Sequence, residues 1–396
     1  MFLLEWHKYT AASTLKPSHL RTANRQATEI MRAFLVLLLV AAANAASLLK
    51  ASEPIFGQYI VKIKSDFDVQ SVLPTVRLAG GRVGHVYNAV FNGFAAKLSE
   101  KVLDAVLNLP AVEYVEEDGV VRTQAVGSWG LDRIDQANLP LDDSYDSTKR
   151  GTNGAGYNVY VIDTGINPTH NDFGGRAVTA WSAMARSEDC NGHGTHCSGT
   201  VAGTEYGVAK GVNVYGVKVL NCFGSGSWSD VIAGVDWVSA SGARPAVASM
   251  SLGGGYTDSL NEAVKNLVNS GVQTAVAAGN DNSNACNYSP ASEPEAVTVG
   301  STTSTDARSS FSNYGNCVDV FAPGSSITSA WYTSNTATNT ISGTSMACPH
   351  VAGALAIYGI LNGNDGERAA AALVNEATSG VVGNPGWNSP NKLLYV

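Results

Sequence analysis

Charge is scarce in this chain of 396 residues, where Asp, Glu, Lys and Arg together make up 15 %. The 25 basic residues are outnumbered by 33 acidic ones, the net charge is −8, and the Lys and Arg nowhere form a run. A phosphate-binding face needs clustered cations, so nucleic acid is excluded as a partner. Long apolar stretches are missing as well. The one candidate, after Met31, is about ten residues long and falls short of the roughly 20 that span a bilayer. Cysteine is absent before Cys190. Internal repeats and low-complexity tracts are absent too, which leaves an ordinary globular architecture.

What is present suits a compact fold with many tight turns: 44 % apolar residues and 41 glycines. The segment MRAFLVLLLVAAANAAS, from Met31, has one positive charge, an apolar run and Ala43-Asn44-Ala45 as an A-x-A cleavage site. It reads as a secretory signal peptide over 31–45. Residues 1–30 then read as a non-native N-terminal extension, with Met31 the true start; the rival is a long-headed signal anchor. With the signal removed, no membrane segment is expected. A secreted route permits disulfides among the cysteines at 190, 197, 222, 286, 317 and 348, and spacing alone does not choose the pairing.

Residues 46–123 differ in pattern from the rest of the chain. QYIVKIK (58–64) reads as a strand, and residues 91–118 read as strand, helix, strand, with Ser99 at the helix start and Val102, Leu103, Val106 and Leu107 on one face. This is a small α+β unit that ends in an exposed linker. From Trp129 onward, short apolar runs at 157–163, 213–220, 246–252, 272–278 and 296–300 read as strands buried on both faces. Helical stretches at 229–241, 259–271 and 345–363 alternate with them. The pattern predicts an α/β domain over 124–396, with a doubly wound, mostly parallel sheet flanked by helices.

Sites in such sheets lie beyond the carboxyl ends of the strands. Asp163 stands at one strand end, and Asn280 comes just after another. Ser345, in ISGTSMACPHVAG, opens a helix whose start is indicated by Pro349, because proline lacks the N–H that a helix interior uses. A serine there is most often only a helix start; as a nucleophile it would have helix N–H groups beside its hydroxyl and would need a base. Among seven histidines the best candidate is His193, in DCNGHGTHCSGTVAG. His193 and His196 share a helix face, but no Glu lies between them as zinc hydrolysis of the H-E-x-x-H type requires. Asp163 is the carboxylate that would orient the imidazole. An α/β-hydrolase is excluded, because its G-x-S-x-G is here G-T-S-M-A and His193 precedes the serine.

VIDTGI, NGHGTHCSGT, SMSLGG, AAGN and GTSMACPHVAG, in the order Asp163, His193, Ser345, resemble the signatures of the subtilisin-like serine peptidases, in the proteinase K branch. The likeness covers residues 129–396, and the unit at 56–123 is similar to the family's inhibitory, folding-assisting propeptide. It implies a subtilisin-like fold after a ferredoxin-like propeptide, with Ser345 as nucleophile, His193 as general base and acid, Asp163 as orienting carboxylate and Asn280 as oxyanion donor. Ser251, Leu252 and Gly253 would form one substrate edge by strand addition, and Gly224 and Gly226 the other. Trp228 would border a pocket for an upstream apolar side chain or serve only as packing. The resemblance also implies disulfides Cys190–Cys222 and Cys286–Cys317. Cys197 and Cys348 remain as buried thiols or a third pair. It implies calcium at Asp319 with the carbonyls of Pro294 and Ala296; otherwise Asp319 is a turn residue.

The expected protein is a secreted, monomeric serine endopeptidase, made as a zymogen that cuts itself near residues 121–125. It needs no catalytic cofactor, acts on protein and peptide substrates, and has its own propeptide as a transient inhibitor. Broad specificity with an apolar or aromatic preference is expected, since no acidic cluster accompanies SLGG or AAGN. The alternative is a self-cleaved, propeptide-bound secreted binding protein. All three members of the triad are present, which argues against a pseudoenzyme. One sequon, Asn287-Tyr288-Ser289, stands between Cys286 and Pro290, a poor context for glycosylation.

Overall fold

The computed structural model describes residues 46–51, 54–123 and 129–396. The extension and signal peptide expected at 1–45 lie outside the described residues, as does the end of the linker.

The N-terminal unit runs β1 (Ser47–Leu49), β2 (Pro54–Ile63), α1 (Val69–Leu78), β3 (Arg82–Tyr87), β4 (Gly93–Lys97), α2 (Glu100–Leu107) and β5 (Val112–Thr123). Its antiparallel strands pair in the order β5-β2-β4-β3, a ferredoxin-like arrangement. The two helices pack on one face around Val61, Phe94, Val72, Val102 and Val115. The sequence pattern found β2, β4, α2 and β5. It missed α1, which carries Pro74 inside it, and β3, which is half-exposed along most of its length.

The second unit continues with α3 (Gly130–Ile134), β6 (Asn158–Asp163), β7 (Ala177–Ser182), α4 (His193–Ala202), β8 (Asn213–Lys218), β9 (Ser225–Ser227), α5 (Trp228–Ser241), β10 (Ala246–Met250), β11 (Leu252–Gly255), α6 (Asp258–Asn269) and β12 (Val272–Ala277). After these come β13 (Tyr288–Ser289), β14 (Val297–Thr302), β15 (Val320–Pro323), β16 (Ile327–Ala330), β17 (Thr338–Ile341), α7 (Thr344–Leu361), α8 (Gly366–Glu376), β18 (Thr378–Ser379) and β19 (Lys392–Leu393). Seven parallel strands form a sheet in the order β15-β14-β12-β10-β6-β8-β7; β19 adds in parallel beside β15, and β18 pairs antiparallel with β19 at the edge.

Helices cover both faces. One core gathers α4, α7 and α8 around Val201, Val351 and Leu373; the other gathers α5 and α6 around Val235 and Leu260. The central strands are buried throughout, which is why they read as unbroken apolar runs. Helix α7 is apolar enough to cross a membrane by composition, but it is buried inside the protein.

The two units meet through β5, α5 and α6. Glu116 accepts from the backbone N–H of Asp258 (3.0 Å) and Ser259 (2.8 Å) at the start of α6. Asp118 accepts from the N–H of Ser229 (3.0 Å) at the start of α5. Both also accept the serine hydroxyls beside them. Helix N-termini leave backbone donors unpaired and carry positive partial charge, so two β5 carboxylates satisfy two helices of the other unit. In the reverse sense, Asp236 of α5 accepts from the N–H groups of Asn88, Ala89 and Val90.

Candidate active site

Strand β6 ends at Asp163, a fully buried carboxylate whose two oxygens lie 2.8 and 2.9 Å from His193 Nδ1. The carboxylate has no proton to give, so Nδ1–H donates and the tautomer is fixed. His193 is the first residue of α4, after Gly192 at φ +109°, a left-handed conformation that suits glycine. The turn is held by Asp189, which accepts from the N–H of Asn191 (3.0 Å), Gly192 (2.9 Å) and Thr195 (3.0 Å). Thr164 donates its hydroxyl to Asp189 (3.0 Å) and accepts from Gly194 N–H (2.9 Å), tying the strand end to the helix start. His196 turns elsewhere, with its Nε2 3.1 Å from the Ile327 carbonyl, so the two histidines do not converge on one ion.

Burial alone would lower the His193 pKa, but the neighbouring Asp163 and Cys197 outweigh it and raise the imidazole well above its ordinary value. Cys197 Sγ lies 3.8 Å from Nδ1. Burial raises the Cys197 thiol in turn, so it stays protonated. The raised imidazole is therefore attributed chiefly to Asp163.

Ser345 is the second residue of α7. The helix begins at Thr344, one residue before the start read from Pro349, which lies in its second turn. The proline survives there because the carbonyl deprived of a helical donor, that of Ser345, accepts instead from the Ser251 hydroxyl (2.8 Å) and the Cys197 thiol (3.5 Å). The bond is reciprocated: Ser345 Oγ donates to the Ser251 carbonyl at 3.0 Å. Asn280 Oδ1 accepts from Thr344 N–H (2.8 Å), which fixes the orientation of its amide. Asn280, Thr344 and Ser345 line one cavity of about 140 Å³ with Leu252 to Gly255 and Ala277 to Gly279.

A groove leads to this cavity and β5 occupies it. On one side, Arg122 and Thr123 pair antiparallel with Gly253 and Leu252; on the other, Val120, Val121 and Arg122 pair with Ser227, Gly226 and Ser225. Leu252, Gly253 and Gly226 are thus in ladders, whereas Gly224 sits in the turn before β9 at φ +73°. Ser251 breaks what the sequence read as one strand and meets Ser345 through two hydrogen bonds. Trp228 is 2 % exposed at the first turn of α5, where a Cβ on Gly119 or Gly254 would collide with its indole. It is a packing floor under the strand in the groove.

A model described as "Subtilase family" matches residues 154–390, and one described as "Peptidase inhibitor I9" matches residues 58–124. The chain belongs to the subtilase family. This subtilase is 50 % identical over 376 residues to an extracellular serine proteinase of Thermus sp. (strain Rt41A), covering 88 % of this chain and 91 % of that one. It is 44 % identical over 354 residues to Proteinase R of Parengyodontium album, covering 87 % and 89 %. Among solved structures, a cold adapted subtilisin-like serine proteinase superposes with a TM-score of 0.65 at 53 % identity, covering 68 % of this chain and 98 % of that one. The subtilase is therefore a serine endopeptidase preceded by an inhibitor-type propeptide. Relatives named as proteinases give the binding-protein alternative no support.

Disulfides join Cys190 to Cys222 and Cys286 to Cys317, while Cys197 and Cys348 are free and buried. The first ties the turn before β9 to the start of α4. Burial pushes the Cys348 thiol up to about 12, so it is inert. Asp319, Pro294 and Ala296 line a separate cavity of about 550 Å³ on the far side of the subtilase. Burial pushes the Asp319 carboxyl up to about 6, although it accepts from Thr298 N–H (2.8 Å). The Asp319 carboxylate is a hard oxygen donor of the kind calcium takes, and Pro294 and Ala296 line the same cavity. Sequence reasoning missed Asp189 and Thr164, which hold His193 against Asp163. Only the position of Asp189 shortly before a histidine-bearing helix could have signalled them.

Proposed function

We propose that the chain is a secreted zymogen in which Ser345 attacks a peptide carbonyl, His193 takes its proton and returns it to the leaving amine, and Asp163 holds the imidazolium. The resulting acyl-enzyme is hydrolysed by water activated by the same imidazole. The reading is carried by one observation: residues 120–123 of the chain lie in the groove between Gly226 and Gly253, as an extended substrate would. Ser345 Oγ, which donates to the Ser251 carbonyl at 3.0 Å in this structure, gives its proton to His193 as it attacks. Asn280 donates its amide to the oxygen on which charge develops, beside Ser345 at the N-terminus of α7, where the helix favours negative charge.

In the ladder, Thr123 stands opposite Leu252. A substrate in the same register puts its next residue opposite Ser251, beside the nucleophile, so this chain is cut after residue 124. That assigns 46–124 to the propeptide, one residue beyond the boundary expected from the sequence. The cavity beside Ser345, walled by Leu252, Ala277, Ala278 and glycines with Asp281 as its one charged lining residue, suits an apolar or aromatic side chain. Asp319 with the carbonyls of Pro294 and Ala296 would hold a structural calcium ion. N-terminal sequencing of the matured protein tests the assignment. A start at Ala125 is expected; a start upstream of Val121, or no cleavage in wild type, contradicts it. A chelator is expected to lower the melting temperature of wild type and to leave Asp319→Asn unmoved.

A further inference from the structure

The segment that carries Asn280 is wrapped around a single buried side chain, that of Asn313. Asn313 is 0 % exposed and lies in the loop between β14 and β15, remote in sequence from the triad. Its Oδ1 accepts from the backbone N–H of Asp281 (3.0 Å) and of Ser283 (3.0 Å). Its Nδ2 donates to the carbonyl of Ala278 (2.9 Å), and its own backbone N–H donates to the carbonyl of Gly279 (2.9 Å). Residues 278, 279, 281 and 283 are therefore all tied to Asn313, and Asn280 lies between them. Gly279 has φ +98°, and a Cβ there would run into the Asn313 amide, so the close approach requires glycine.

The geometry assigns Asn313 as the positioning residue of the oxyanion site, acting through Asn280. The inference rests on the reading of Asn280 as the oxyanion donor. An oxyanion donor works only within a few tenths of an ångström of its place, and a misplacement of about 1 Å costs roughly a hundredfold in rate. Asn280 has one end fixed by Thr344 N–H. The backbone on both sides of it is held by single bonds from Gly279 N–H to the Thr344 hydroxyl (3.1 Å) and from Asn282 N–H to the Phe311 carbonyl (2.8 Å), and Asn313 is the side chain that reaches both sides at once. A carboxamide suits the task because it offers an acceptor with two lone pairs and a donor from opposite ends of one rigid plane. Asp at 313 would keep the acceptor and turn a second oxygen on the Ala278 carbonyl. Ser would keep a hydroxyl but not reach both sides.

The test compares Asn280→Ala, Asn313→Asp, Asn313→Ser and the double variant Asn280→Ala/Asn313→Asp, matured from the full chain, with active sites counted by a covalent titrant. Hydrolysis of a peptide anilide with Phe before the scissile bond gives kcat and KM. Asn280→Ala is expected to lower kcat by about 10²–10³ with KM little moved. Asn313→Asp is expected to lower kcat by about tenfold or more with KM within about threefold, and Asn313→Ser by less. Added to Asn280→Ala, Asn313→Asp is expected to cost less than about twofold, because the residue it positions is gone. Losses that multiply in the double variant, or a wild-type kcat per counted site in both Asn313 variants, overturn this inference alone. A wild-type kcat in Asn280→Ala overturns the oxyanion assignment together with it. Variants that yield no mature enzyme are read by the single-turnover rate of propeptide cleavage in the full chain. Slow cleavage at an unchanged melting temperature supports positioning, and normal cleavage overturns it.

Discussion

At the residue scale, Asp163 acts on His193 from the end of a buried strand, and the imidazole is raised well above its ordinary value against the pull of burial. A base must be unprotonated to act, so kcat/KM is expected to rise with pH through a midpoint above the usual imidazole value of about 6.5 and to fall on acidification. A pH–rate profile checks this, and Asp163→Asn should move the midpoint down while lowering kcat by about 10⁴. The proposed triad could be picked out because each member sits in its own short motif at an element end: Asp163 closing β6, His193 opening α4, Ser345 opening α7. What could not be read were the groups that hold them. Ser251 meets Ser345 across 94 positions, Thr164 meets Asp189 across 25, and Asn313 meets Ala278 across 35. Each is an ordinary polar residue whose role arises only when two distant segments are packed together.

At the scale of elements, the interface between the two units is a matter of helix ends. Glu116 and Asp118 sit on β5 and close the N-termini of α6 and α5. Burial raises both carboxyls above their ordinary values, Asp118 to about 6 from 3.8, and the N–H donors only partly offset it. A carboxyl that binds protons more readily in the complex than when free favours the complex as pH falls and loosens it as pH rises. Binding of the cleaved propeptide is therefore expected to weaken by roughly tenfold or more between about pH 4 and 6.5 through these groups. Calorimetric titration of inhibitor-blocked mature enzyme would show this, and Asp118→Asn should flatten the change. Helices α5, α6 and α7 were read as helical stretches between the strands, to within one or two residues, with the start of α7 placed by Pro349. Strand β7 was missed because its residues are mostly half-exposed, and β15 because it is only four residues long.

For the whole molecule, one crosslink and two buried histidines set expectations for stability. The Cys190–Cys222 bond closes a separation of 32 residues and joins the groove to the start of α4. Cys190→Ser/Cys222→Ser is expected to cost about 3–4 kcal/mol, or on the order of 10 °C in melting temperature. His196 and His350 are both buried, and burial lowers them to about 3 and about 4. Unfolded, they take up protons near pH 6.5; folded, they do so only far lower. Their contribution to stability is lost progressively as pH falls from about 6.5 towards 4, and melting temperatures across that window should show it. The overall architecture was legible because strands buried on both faces leave short unbroken apolar runs with helical stretches between them. The seating of β5 between β9 and β11 was not, because strand addition is made by backbone groups and leaves no pattern of side chains.

The most direct test is to express the chain from Met31 beside Ser345→Ala, monitor propeptide loss on a gel and assay hydrolysis of a peptide anilide with an aromatic residue before the scissile bond. Wild type is expected to shed the propeptide and turn over, while Ser345→Ala does neither. Turnover by Ser345→Ala, or a wild type that cuts itself once and never turns over, would contradict the proposed mechanism.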